Sequence, residues 1–256
     1  MHRRHLLRAA ACAAASLFAT AAAAQERLTI GTEGAYPPFN NLTAAGELVG
    51  FDIDIAKALC ARMTVECDFV AVDWEGLIPA LQAGKIDVIA ASLTITEERR
   101  KHVLFTRKYY ATPLAVVARR EVAIASTEAT ALAGRSLGVQ GSTWQADYAA
   151  GTFGEAGALL KPYPSQTEAM LDLSNGRLDA VLSDKIQLID WMKTDGAGCC
   201  TMIGDVAGTE AEAGIAVRLE DVALRDRLQS ALDAILAEGT YDDIRKRYFD
   251  FDIYGG

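Results

Sequence analysis

The chain has 256 residues, 51% hydrophobic and 23% charged, with a formal charge of −9. That material suffices for one large or two modest cores and excludes both a disordered polymer and a polytopic membrane protein. The acidic excess argues against a dedicated nucleic-acid binder, because neutralising phosphates requires a basic surface.

Residues 1–24 begin with Arg3, Arg4 and Arg8, continue as small apolar residues from Ala9, and end in an Ala-x-Ala pattern before Gln25. This reads as a secretory signal peptide cleaved after Ala24. Only 16 residues separate Arg8 from Gln25, against the ~20 that usually span a bilayer. Removing residues 1–24, which hold three arginines and no acid, leaves 232 residues with 22 basic and 34 acidic side chains, a balance of −12. One histidine, His102, remains, in a charged segment that reads as solvated. Export into an oxidising compartment permits disulfides among Cys60, Cys67, Cys199 and Cys200. Cys60 and Cys67 form the natural pair, closing a small loop after a helix. Cys199 and Cys200 are adjacent, so they either bond in a strained ring, stay reduced or pair between molecules. With no CxxC pair and no His/Cys cluster, neither metal nor cofactor is expected.

The predicted elements alternate. Leu28–Thr32 is a strand, Phe51–Met63 a helix with Ile55, Ala58, Leu59 and Met63 on one face, and Cys67–Val72 a second strand. Trp74–Ala83 is a helix ending near Gly84, and Ile86–Ala91 is a buried parallel strand. A second unit repeats the rhythm: an apolar run at Leu114–Ala118, a strand at Ser136–Val139, helices at Thr143–Ala149 and Thr167–Leu173, a strand at Leu178–Leu182 and a helix over Lys185–Met192. Leu173–Ala180 resembles Leu81–Val88: each reads as a helix, a glycine stop, a basic residue and then a strand. Ile215–Leu219 is a further strand, Asp221–Glu238 a long amphipathic helix and Tyr241–Tyr248 a short one. Two largely parallel α/β units imply a cleft between lobes, with ligands beyond the carboxyl ends of strands.

Several residues at those ends admit two readings. Glu33 and Tyr36 after the first strand are either an ordinary loop acid and a capping aromatic or a carboxylate and flat wall for a cationic ligand. Trp74 either packs across the sheet edge or completes a sandwich with Tyr36. In Ser92–Arg100, Ser92 and Thr94 can present hydroxyls to one side, Thr96 can cap the next turn, and Arg99 can hold a carboxylate bidentately. The bland alternative is a polar loop entering a charged helix. Gly138–Thr143 joins a strand to a helix, where backbone amides and Thr143 suit an anion; GxxxxGK[ST] is absent, so a carboxylate fits better than a triphosphate. Asp184 either caps a helix or accepts an ammonium group.

Taken in order, Gly31-Thr32-Glu33-Gly34-Ala35-Tyr36-Pro37-Pro38-Phe39, Gly50–Ile55, Asp73–Pro79, Gly138–Thr143, Gly176–Ala180 and Gly239–Asp242 resemble the periplasmic polar amino-acid binding proteins. Within that family the resemblance is greatest to lysine/arginine/ornithine and histidine receptors, with opine-receptor features at Glu33-Gly34. It implies an α/β fold of two lobes, with two parallel-rich sheets, flanking helices and a two-strand hinge. Residues 25–112 and 209–256 would form lobe 1, and 113–208 lobe 2. It further implies a periplasmic monomer that binds a cationic L-amino acid (arginine, lysine, ornithine or histidine) and delivers it to an inner-membrane ABC importer. By the same resemblance, Arg99, Thr94 and Thr143 hold the α-carboxylate. Asp184 and Ser92 hold the ammonium, Tyr36 and Trp74 sandwich the side chain, and Glu33 meets its distal charge. Cys60 and Cys67 match the family's small-loop disulfide. Glu33 is one methylene longer than the family's usual aspartate, and Ala91 replaces a common serine. The alternatives are an opine receptor or, among enzymes, a cyclohexadienyl or arogenate dehydratase on the same fold. The reading favours a receptor without catalysis, because the one remaining histidine, His102, reads as solvated and leaves no Ser/His/Asp set.

Overall fold

The computed structural model describes residues 26–255, so the predicted signal peptide lies outside the described residues. In chain order the first elements are β1 (Arg27–Thr32), β2 (Ala35–Tyr36), β3 (Asn40–Leu42), β4 (Leu48–Val49), α1 (Phe51–Met63) and β5 (Glu66–Ala71). A 3-10 turn at Trp74–Gly76 leads into α2 (Leu77–Gln82), followed by β6 (Val88–Ile89), α3 (Glu97–Arg100) and β7 (Leu104–Thr112). The second sheet draws on β8 (Leu114–Arg119), β9 (Ser136–Gln140), α4 (Trp144–Ala149), β10 (Leu159–Tyr163), α5 (Gln166–Ser174), β11 (Ala180–Asp184), α6 (Lys185–Lys193) and β12 (Cys200–Asp205). The chain then returns through β13 (Ala211–Val217), α7 (Val222–Ala237) and α8 (Thr240–Arg245).

Two five-stranded sheets result, in the orders β5-β1-β6-β13-β7 and β10-β9-β11-β8-β12. Three strands of each are parallel, and the other two run antiparallel to a neighbour. This is the two-lobed α/β architecture expected, with β7, β10 and β12 among the strands the apolar pattern did not disclose. All three are sheet-edge strands with charged or partly exposed positions, so their alternation is diluted.

The internal repeat has a physical basis. In lobe 1 the backbone N–H of Thr29 donates to Asp87 Oδ2 at 2.9 Å; in the second unit the N–H of Ser136 donates to Asp179 Oδ2 at 2.8 Å. Each aspartate sits just before a central strand and ties it to its parallel neighbour. Each preceding helix ends at a glycine with positive φ, Gly84 at 68° and Gly176 at 75°.

The first sheet has two clusters, one rich in aromatics (Phe39, Phe51, Tyr109, Tyr110, Tyr241 and Phe249) and one largely aliphatic around Leu77, Leu81, Ile86 and Ile89. The second sheet carries a separate apolar cluster on each face. The chain passes between sheets twice, at Thr112–Leu114 and between Asp205 and Ala211. Thr209 links the two passages, accepting the N–H of Leu114 at 3.0 Å while donating to Val206 O at 2.6 Å. Cys60–Cys67 is a disulfide joining the end of α1 to β5, as the sequence indicated. Cys199 and Cys200 are bonded to each other at the start of β12, the strained-ring alternative of the three left open.

Candidate ligand-binding cleft

The polar ends of both sheets meet across one cleft. Glu33 follows β1 and Tyr36 lies in β2, while Ser92 and Thr94 follow β6; Gln140 ends β9, and Asp184 ends β11. A narrow, partly open cavity is lined by Glu33, Tyr36, Trp74, Ser92, Thr94 and Thr143, together with Ala91, Gln140 and Gln145. Thus six of the eight predicted binding residues line one cavity. Arg99 and Asp184 stand behind it, each through two lining residues.

Asp184 is 3% exposed and lies against Tyr36, whose hydroxyl donates to Asp184 Oδ2 at 2.8 Å. Gln145 Nε2 donates to its other oxygen at 3.2 Å. Although Asp184 precedes α6, its side chain makes no capping hydrogen bond, so the carboxylate is turned to the cleft and not to its helix. Burial pushes its carboxyl up to about 6, opposed by the Tyr36 and Gln145 donors and the more distant Arg99 charge.

Arg99 is anchored by its own helix start. Thr96 caps α3 by accepting the Arg99 N–H at 3.1 Å. Its guanidinium donates to Thr94 O at 2.9 Å and lies 5.2 Å from the Trp74 ring centre. The desolvation of that head lowers its pKa to about 10, although Asp147 and Asp184 favour the charge from a distance. One face of Trp74 is therefore already occupied by Arg99.

Glu33 has a single close partner, Gln140, whose Nε2 donates to Oε1 at 2.6 Å from the other lobe. Burial raises Glu33 to about 7; Gln140 opposes that shift and the Asp73 charge adds to it. Burying a carboxylate without a cation is costly, so this group is poised to accept one.

Two predicted residues serve structure as well. The Ser92 hydroxyl donates to Asp52 Oδ2 at 3.0 Å while its residue adopts φ 53°. The Thr143 hydroxyl donates to Gln140 O at 2.8 Å and accepts Ala146 N–H at 3.1 Å, capping α4. Gln140 and Gln145 were missed because neutral amides leave no charge signature. Their only sequence signal was position, at a strand end and in the first turn of the following helix.

Residues 28–251 match the model of the bacterial extracellular solute-binding proteins, family 3. The chain belongs to that family. The L-arginine-binding protein of Pseudomonas aeruginosa is 42% identical over 239 residues, covering 91% of this chain and 92% of the relative. The histidine-binding periplasmic protein of Salmonella typhimurium is 37% identical over 246 residues, with 94% of each chain covered. Among solved structures, an ancestral arginine-binding protein bound to arginine gives a TM-score of 0.83 at 35% identity, over 88% of this chain and 99% of that one. As a family 3 protein the chain is an extracytoplasmic solute receptor, not the dehydratase weighed against it.

Proposed function

We propose that this receptor captures a cationic L-amino acid, with arginine the best match, and presents it to an inner-membrane ABC importer. The observation that carries the reading is charge complementarity. Around the cavity stand two carboxylates, Glu33 and Asp184, and one guanidinium, Arg99, none in contact with an oppositely charged side chain among the described residues. An amino acid with a cationic side chain supplies the inverse set: two positive groups and one carboxylate. Each would replace lost hydration with a charge-assisted hydrogen bond.

In this assignment Arg99, with Thr94 and Thr143, takes the α-carboxylate. Asp184 and Ser92 take the ammonium, Tyr36 and the free face of Trp74 enclose the aliphatic stem, and Glu33 meets the distal cation. Residues 25–112 with 209–256, and residues 113–208, act as the closing lobes. The two chain passages tied by Thr209 would support such a hinge. Export would follow cleavage after Ala24, and the mature protein would act as a monomer. The names of the arginine- and histidine-binding relatives agree with this ligand class.

Calorimetric titration of the purified protein with arginine, lysine, ornithine, histidine, glutamine and an opine tests the assignment. Micromolar or tighter binding of a cationic amino acid, at least tenfold tighter than glutamine, is the expected result. Preference for the opine or for glutamine would overturn it.

A further inference from the structure

Behind the cavity lies a buried carboxylate that the ligand scheme does not use. Asp52, in the first turn of α1, is 0% exposed. Three donors converge on it: Tyr109 OH at 2.6 Å, Asn40 Nδ2 at 2.9 Å and Ser92 Oγ at 3.0 Å. Among the described residues no cation accompanies it; burial raises its carboxyl, and these three donors oppose that shift by favouring the carboxylate.

We propose that Asp52 is a positioning residue that sets the hydrogen-bond polarity of the ammonium subsite through Ser92. The proposal rests on the cationic amino-acid reading above. A serine hydroxyl has one proton to donate, and Ser92 gives it to Asp52. The Ser92 backbone N–H is also turned away, donating to Tyr109 OH at 3.1 Å. Ser92 therefore faces the cavity with acceptors only. An ammonium group, which only donates, is the matching partner; a group that must accept finds no donor there.

The same carboxylate orders the opposite wall. Asn40, which donates to Asp52, accepts the N–H of Gly34 at 2.8 Å, and Gly34 lies between Glu33 and Tyr36. One buried group thus ties the loop bearing Glu33 and Tyr36 to the loop bearing Ser92. Ser92 sits at φ 53°, a left-handed conformation that costs a non-glycine residue energy and is held here by the Asp52 and Tyr109 contacts.

An Asp52→Asn substitution keeps the shape but places an amide donor among three donors. The Ser92 hydroxyl is the donor with an alternative, since turning its proton into the cavity gives it a partner there. The subsite then changes from acceptor to donor.

The test compares binding of L-arginine with its α-hydroxy analogue, which keeps the carboxylate and guanidinium but replaces ammonium by hydroxyl. D52N should lower the preference for arginine over the analogue at least tenfold. S92A should lower it similarly, and D52N should add nothing to S92A. Equal weakening of both ligands by D52N would show a merely structural role and overturn the proposal. Should D52N not fold, S92A decides: an unchanged preference overturns it. Failure of the wild-type protein to bind any cationic amino acid would instead overturn the ligand reading, and the proposal with it.

Discussion

At the residue scale, Glu33 and Asp184 illustrate how burial alters ordinary acids. Glu33 rises to about 7 and Asp184 to about 6, each chiefly because the cleft removes water from the carboxylate. A cationic ligand favours the ionised form of both, so binding and ionisation are linked. Affinity for arginine should level off near pH 8, about one unit above the Glu33 value. It should fall by up to roughly tenfold per pH unit below that point, and more steeply below about 6 as Asp184 protonates. In the ligand-free protein the sign reverses: the raised carboxyls bind protons more tightly folded than unfolded, so they contribute stability that is lost as pH rises through those values. Titration calorimetry from pH 8 to 5 would show both limbs. Glu33→Gln should remove the upper limb and weaken arginine by roughly 30-fold, about 2 kcal/mol. A pH profile identical to wild type in E33Q would place the distal contact elsewhere.

At the scale of elements, how plainly each is written in the sequence depends on what it exposes. Phe51–Met63 was predicted to its last residue because a helix packed on one face repeats its apolar positions every turn. Ile86–Ala91 read as one buried strand, yet only Val88–Ile89 pairs as such, since Asp87 turns to bond the neighbouring strand. Leu159–Tyr163 was not predicted: it is an edge strand with exposed alternate residues and a proline. The entry to α1 depends on one backbone position. Gly50 has φ 129°, and a Cβ there would stand 2.3 Å from the Phe39 carbonyl oxygen. Gly50→Ala should destabilise the protein by more than about 2 kcal/mol. Gly46→Ala, also at positive φ (81°) but with no heavy atom within 4 Å, should cost about 1 kcal/mol. Urea unfolding followed by circular dichroism separates the two; equal losses would show that φ alone, not the Phe39 contact, sets the penalty.

Across the whole molecule, the lobes touch through polar groups that a ligand would share. Tyr36 donates to Asp184, Gln140 to Glu33, Trp74 Nε1 to Ser142 O at 2.9 Å, and Thr167 to Ala35 O at 2.8 Å. These direct contacts join the two units across the cleft. Tyr36→Phe removes the bond between Tyr36 and Asp184 while keeping the aromatic wall. The ligand-free variant should therefore show a larger radius of gyration than ligand-free wild type by small-angle scattering. Saturating arginine should bring the two to the same value. Equal ligand-free radii would mean that the Tyr36–Asp184 contact does not bias the lobes.

An acidic chain of two α/β units, its Cys60–Cys67 bridge and the residue types at its strand ends were determined by the sequence alone, because periodicity, glycine stops and local spacing are properties of neighbours along the chain. The partnerships were decided by tertiary structure. Glu33 and Gln140 are 107 positions apart, and Tyr36 and Asp184 are 148 apart. Whether Asp184 capped its helix or faced the cleft, and whether Cys199 bonded to Cys200, were questions of geometry that local sequence left open. Asp52 shows the same limit most plainly. As a letter it is one acid in a helix start; only the fold brings Asn40, Ser92 and Tyr109 around it, and only burial without a cation gives those hydrogen bonds their leverage over the site.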